Sequence, residues 1–135
     1  MREIKFRAWD KIRKKMYDSV FYSYDRKTGI MNLDTDLGVI HFSERQAFEL
    51  IQYTGLKDKN NKEIYEGDII EFDYNCKTNR FAVEFLYGAY CFDTPGGLWF
   101  LKRFNREQIK VIGNIHQNPE RMREINTIEE LLYWR

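Results

Sequence analysis

Four carboxylates crowd one short stretch: Glu63, Glu66, Asp68 and Glu71, with Gly67 between the middle two. Acids at this spacing could share a proton or hold a cation, which is the arrangement general acid–base chemistry needs. The same residues also write a turn. Glu66-Gly67-Asp68 joins two apolar runs, and glycine reaches the positive φ of a tight reversal without steric cost. No histidine or further acid stands at a spacing that completes a reacting set, so the turn is the stronger reading.

The other reactive residues carry less. Asp58-Lys59-Asn60-Asn61-Lys62 begins like a calcium loop, but Glu63 stands where that loop needs Gly and Ile69 where it needs Glu. Asp34-Thr35-Asp36 fails in the same way, with Gly38 at its fifth position. His41, His116, Cys76 and Cys91 lie far apart and form no CxxC or HxxH spacing, which leaves no zinc set and no local nucleophile motif. Gly96-Gly97 follows Pro95 and leads into a short apolar run, not into a helix with Lys and Ser or Thr; it is a loop and not a phosphate cradle. The reading is therefore of a protein that is not an enzyme and uses no cofactor or metal.

Basic residues are the more suggestive group. Lys5, Arg7, Lys11, Arg13, Lys14 and Lys15 interleave with Phe6, Trp9 and Tyr17, and this strip at residues 2–15 is answered only by Glu3 and Asp10. Lys102, Arg103 and Arg106, followed by Lys110, form a second strip at 102–110 beside Trp99, Phe100 and Phe104. Cations beside exposed aromatics suit single-stranded nucleic acid, where bases stack and phosphates pair. Alternation argues otherwise: Phe6 points one way and Lys5 and Arg7 the other, and Trp9 at the hairpin corner is expected to cover the core. The acids of residues 58–73 offset the basic N-terminus, leaving a net charge of +1 over 135 residues. A protein that lives on phosphate neutralisation shows more than that in total.

These residues need elements to hold them. Ten Phe, nine Tyr and three Trp supply core material, and 32% charged residues with two prolines argue for a folded chain. No run of about 18 apolar residues is present to span a bilayer. The charged start lacks the apolar centre of a signal peptide, so a cytoplasmic location is expected and no membrane partner. Residues 3–9 alternate as a half-buried strand, Asp10 to Lys15 turns, and residues 15–21 return. Phe21–Tyr24 and Ile30–Leu33 make a second pair around Lys27-Thr28-Gly29, followed by a loop at 34–38 and a short strand at 39–42. Residues 43–52 fit either a short helix, with Ser43 and Gln46 as a capping box, or a strand; the strand is weakly favoured. Asn60-Asn61 turns tightly, since Asn tolerates φ > 0. Further strands are expected at 64–74, after a turn at 75–79 at 81–87, then at 89–92, 98–101 and 108–115. Asn118-Pro119 opens a short helical turn to Glu124, and Thr127 with Glu130 caps a final helix. Short strands punctuated by Gly, Asn and Asp mean a small antiparallel barrel or sandwich.

The run Tyr53-Thr54-Gly55-Leu56-Lys57-Asp58 through Lys62-Glu63-Ile64-Tyr65-Glu66-Gly67-Asp68-Ile69-Ile70 closely resembles the signature of the YopX family of phage and prophage proteins. Ile4 to Asp10, and Val111 to Ile115 with Asn118-Pro119-Glu120, match in order, so the resemblance spans residues 3–120. It implies an SH3-like β-barrel core and brings no catalytic or binding residues with it. The chain departs from the pattern at Asn60-Asn61, where Asn-Gly is common; Asn takes the left-handed conformation that Gly usually fills, so the hairpin is expected to survive.

The expectation is a mainly β chain: an N-terminal β-hairpin region at 1–52, a small antiparallel SH3-like core at 53–116, and a short helical tail at 117–135. Ile64, Ile69, Phe72, Val83, Phe85, Ile112 and Ile115 are expected inside, and Asn60, Asn61, Gly67 and Asp68 in structural turns. The function expected is that of a phage or prophage accessory protein that binds a host or phage protein, with nucleic-acid binding through the two basic strips as the alternative.

Overall fold

The computed structural model describes residues 3–42 and 48–122. Thirteen antiparallel strands and three single 3-10 turns account for its regular structure among those residues. The chain divides into two compact units, Met1–Tyr53 and Thr54–Arg135.

In the first unit, β1 (Phe6–Asp10) pairs with β2 (Lys15–Tyr17) on one side and with β6 (Phe48–Lys57) on the other, Ala8 standing opposite Tyr17 and Leu50. Three further strands, β3 (Phe21–Tyr24), β4 (Met31–Thr35) and β5 (Gly38–Phe42), make a meander of order β3-β4-β5. Period-two alternation sorts its faces. Tyr22, Leu33 and Ile40 form one row; Phe21, Asp34 and Val39 form a row on the opposite face. From the first row Leu33 joins a core of Ala8, Tyr17, Val20, Met31 and Phe48 with Ile40 packed against it, while Tyr22 stays exposed. Burying each large apolar side chain there contributes about 1.5–3 kcal/mol. Residues 43–47 of the ambiguous segment lie outside the described residues, and 48–52 are strand.

The second unit starts within β6 and continues through β7 (Glu63–Tyr65), β8 (Asp68–Tyr74), β9 (Lys77–Ala82), β10 (Glu84–Leu86), β11 (Ala89–Thr94), β12 (Gly97–Phe100) and β13 (Ile109–Asn114). β7 lies beside β6, and the Thr54 hydroxyl donates to the Ile64 carbonyl at 2.7 Å. β8 is the centre of a sheet of order β13-β8-β9, while β10-β11-β12 make the next. The chain passes from one to the other at Val83. Both sheets and the 3-10 turn Leu101–Arg103 close on one core of Ile64, Ile70, Phe72, Phe81, Val83, Phe92, Leu101, Ile109 and Val111. Phe72 sits at its centre, its ring 5.2 Å from Phe92, 5.0 Å from Phe104 and 6.1 Å from Trp99. Offset and tilted pairs at such separations add about 0.5–1.5 kcal/mol each beyond area burial.

Three of the expected core residues are not in it. Ile64, Ile69, Phe72 and Val83 are buried, but Phe85 is 53% exposed, Ile115 is 40% exposed and Ile112 is half-buried. The causes are local breaks in period. Val83 stands opposite both Gly67 and Asp68, accepting from Gly67 N–H and donating to the Asp68 carbonyl, and past this irregularity the alternation of β9 does not carry into β10; Phe85 packs on Tyr90 at 5.0 Å instead. In β13 the register shifts between Val111 and Gly113, a bulge that turns Ile112 aside, and the strand ends before Ile115.

The β8–β9 turn is also tighter than expected. Only Asn75 and Cys76 lie between the strands, both left-handed at φ 50 and 61, and Lys77–Asn79 already belong to β9. That is the two-residue reversal whose twist matches antiparallel strands. After β13 the expected helical turn to Glu124 is one 3-10 turn, Pro119–Arg121, without side-chain capping by Asn118. Asn118 instead packs against Gly113, where an added Cβ would meet its Oδ1 at 2.6 Å. The helix expected from Thr127 lies outside the described residues.

Candidate functional site

The acids of the central signature serve the backbone. Asp58 is buried, and its Oδ1 accepts from the N–H groups of Asn60 and Lys62, each at 2.9 Å. Its Oδ2 accepts from Val111 N–H at 2.9 Å, an amide on the edge of β13 that faces away from β8. Lys59 N–H donates to the Ile109 carbonyl at 3.1 Å, so the turn lies along β13 as a short strand would. Asn61 takes φ 63, the conformation expected of it in place of Gly. Arg106 closes the arrangement: its Nε donates to the Asp58 carbonyl at 2.8 Å, and its guanidinium also reaches the Asn61 side chain.

Glu66-Gly67-Asp68 is built the same way. Gly67 has φ 83, and both of its main-chain groups are used, the N–H by Val83 and the carbonyl by Ile115. Asp68 is buried, with Oδ2 accepting from Tyr65 N–H at 2.8 Å. A carboxylate that accepts main-chain N–H groups is a turn component, and its lone pairs are not directed at solvent. Among the described residues no three His, Cys, Asp or Glu side chains converge as a metal set. Cys91 is buried, and desolvation pushes its thiol above the ordinary range.

The first basic strip does not act as one row. Lys5 pairs with Glu3 at 3.3 Å and lies over Tyr53; the half-buried Arg7 pairs with Asp18 at 3.6 Å. Trp9 is 8% exposed and offers no face on which a base could stack. The remaining cations gather at the β1–β2 turn: Lys11, Arg13, Lys14 and Lys15 are all exposed, with Ile12 between them at 76% exposure. Buried Asp10 shapes this turn, its Oδ1 accepting from Ile12 and Arg13 N–H and its Oδ2 pairing with the Arg13 side chain.

The second strip is divided too. Arg106 is committed to the Asp58 turn, and Arg103 covers the Trp99 ring at 5.1 Å. Lys110 stands opposite Glu71, which pairs with Arg80. Lys102 is exposed. Lys110 also lines a shallow cleft of about 290 Å³ with Lys59, Glu71, Asp73 and Glu107, a lining of both signs with no preference for an anion.

The sequence gives no warning of one exposed surface in the first unit. All four residues of β3 are exposed, Phe21 at 74%, and Val39 across the row and Leu37 at the β4–β5 turn are exposed as well. Asp34 lies between Phe21 and Val39 on that outer face.

These features define a small antiparallel β protein in two units whose buried carboxylates organise turns. The model of the YopX protein family matches residues 5–123, and the chain belongs to that family. Protein EF1440 from Enterococcus faecalis is similar in structure, with 27% identity and a TM-score of 0.65 over 89% of this chain and 98% of its own. Protein YopX from Bacillus subtilis has the same fold at 20% identity, with a TM-score of 0.61 over 88% of this chain and 98% of its own. No curated protein matches.

Proposed function

We propose that the chain is a non-enzymatic accessory protein of a phage or prophage that works in the cytoplasm of its bacterial host by binding a protein, with the second unit an SH3-like barrel. The barrel reading rests on strand order: β8 to β12 follow one another in two sheets, 3-10 turns at Leu101–Arg103 and Arg106–Gln108 follow, and β13 returns to pair with β8. The phage setting rests on family membership alone. The binding reading rests on one observation, the exposed apolar side chains Phe21 and Val39 on the outer face of the β3-β4-β5 sheet, with exposed Leu37 at its β4–β5 turn.

The test is affinity capture from lysate of a phage-bearing host, with and without nuclease, using wild type and Phe21→Asp. A partner that survives nuclease and is lost with Phe21→Asp supports the reading. Capture indifferent to this substitution would contradict it. One observation favours a second reading, nucleic-acid binding at the β1–β2 turn: four exposed cations surround the exposed Ile12. If those four each neutralise a phosphate, log affinity should fall against log salt with a slope of about −3 to −4. Absence of any gel shift at low salt with DNA and RNA removes that reading.

A further inference from the structure

The β1–β2 turn is built to hold its apex still. The ladder of β1 with β2 ends where Asp10 stands opposite Lys15, and residues 11–14 lie beyond it. Buried Asp10 fastens that loop from inside, accepting from Ile12 N–H at 2.9 Å and from Arg13 N–H at 3.0 Å. Lys14 then turns the chain back at φ 56. Ile12 is left 76% exposed, with the exposed cations Lys11, Arg13, Lys14 and Lys15 on either side of it in the turn. Arg13 shares its charge with Asp10 at 3.4 Å, and the three lysines carry the rest. An aliphatic side chain held among these cations adds nothing to phosphate neutralisation. It contributes to binding only where a ligand removes it from water.

Resting on the nucleic-acid reading of this turn, we infer that its ligand is duplex DNA and that Ile12 is a wedge. The lysines and Arg13 hold phosphates beside the minor groove, while Ile12 enters at a base step and partly unstacks it. Minor-groove proteins pair cations with such aliphatic wedges, and the kink that results brings more of the DNA against the protein. Pyrimidine–purine steps such as TA unstack most easily, so the wedge favours them. Other ligands fit this turn less well. Single strands are held by bases stacked on exposed rings, whereas the two rings next to the turn, Trp9 and Tyr17, are buried. Duplex RNA has a wide, shallow minor groove, while that of B-DNA is about 6 Å across. A bilayer is a poorer match again: a whole myristoyl chain gives only marginal binding, and one isoleucine side chain is far shorter.

The test is fluorescence anisotropy of the full chain at low salt with a short DNA duplex carrying a central TA step, with one of its single strands, and with the same duplex as RNA. Duplex DNA should bind most tightly, and dyes at its two ends should report a bend on binding. Ile12→Ala should weaken duplex binding by about tenfold and abolish the bend. It should leave the slope of log affinity against log salt unchanged, because no phosphate contact is lost. Lys11→Ala should instead make that slope shallower by about 1. Both positions are exposed, so both variants should keep the wild-type melting temperature. Equal affinity for single strand and duplex, or an Ile12→Ala variant that keeps the affinity or the bend, overturns the wedge while nucleic-acid binding stands. Binding to no nucleic acid at low salt, whether or not phosphatidylserine vesicles retain the chain, overturns both.

Discussion

Two strand edges of this molecule are treated in opposite ways. Beside β13, the family's central signature lays a turn along the strand, with Lys59 N–H on the Ile109 carbonyl and the Asp58 carboxylate on Val111 N–H. At β3 every residue is exposed, and the alternation of the ladder with β4 turns the main-chain groups of Tyr22 outward. The difference teaches what the signature is for. Its acids look like reactive groups in the sequence, yet Asp58 and Asp68 are buried acceptors for main-chain amides, Asp58 for Val111 on the edge of β13 and Asp68 for Tyr65 before the Gly67 turn. A buried N–H without a partner costs about 1–3 kcal/mol, so these carboxylates contribute to stability. Phe21 and Val39 on the outer face of that sheet are exposed as well.

Breaking the covered edge should have the largest effect. Asp58→Ala removes acceptors from Asn60, Lys62 and Val111 and should cost about 2–4 kcal/mol in urea denaturation. Asp58→Asn should not rescue it, because both oxygens accept and the amide NH2 would face an N–H whichever way it turned. Gly67→Val should come next, at about 1–3 kcal/mol, because φ 83 strains any residue with a Cβ. A Cβ there meets Ile115 no closer than 3.5 Å, so the cost lies in the backbone and Gly67→Asn should be milder. Arg106→Ala, which loosens the turn without exposing Val111, should cost about 1 kcal/mol by the same measurement.

On the open edge the effect on stability should be smallest. Phe21→Ser, at a 74% exposed position, should change unfolding free energy by less than about 0.5 kcal/mol while reducing partner capture. At the end of β3, Asp25 accepts from Lys27 N–H, which with the Thr28 hydroxyl lowers its pKa below the ordinary 3.8. A group whose folded pKa is depressed adds stability above its unfolded value and loses it as pH falls through the folded one. An NMR titration of the Asp25 carboxyl should therefore show a midpoint below 3.8.

Much of the fold was legible because it depends on neighbours in sequence. Alternation located β1, β3, β4 and β8, and Asn and Gly marked reversals at Asn61, Gly67 and Asn75. Failures came where a distant residue decides. Phe85 continues the pattern of Phe81 and Val83 on paper, but the bonds of Val83 to Gly67 and Asp68 redirect the chain. The role of Asp58 divides in two. Its bonds to Asn60 and Lys62 follow from an Asp that opens a turn; its bond to Val111 spans 53 positions and has no local sign. Basic residues misled for the same reason, since Arg106 reads as a free cation until Asp58 and Asn61 are seen beside it. The openness of β3 was hidden because apolar strand residues read as core until pairing shows which strand stands at the edge.

The contrast between the edges is tested most directly by native-state hydrogen exchange of two amides in dilute protein. Val111 N–H, held by buried Asp58, should exchange only through opening on the scale of global unfolding. Tyr22 N–H, on the open edge, should exchange near the rate of unprotected backbone. Equal protection at the two amides, or a slower Tyr22 than Val111, would contradict the account.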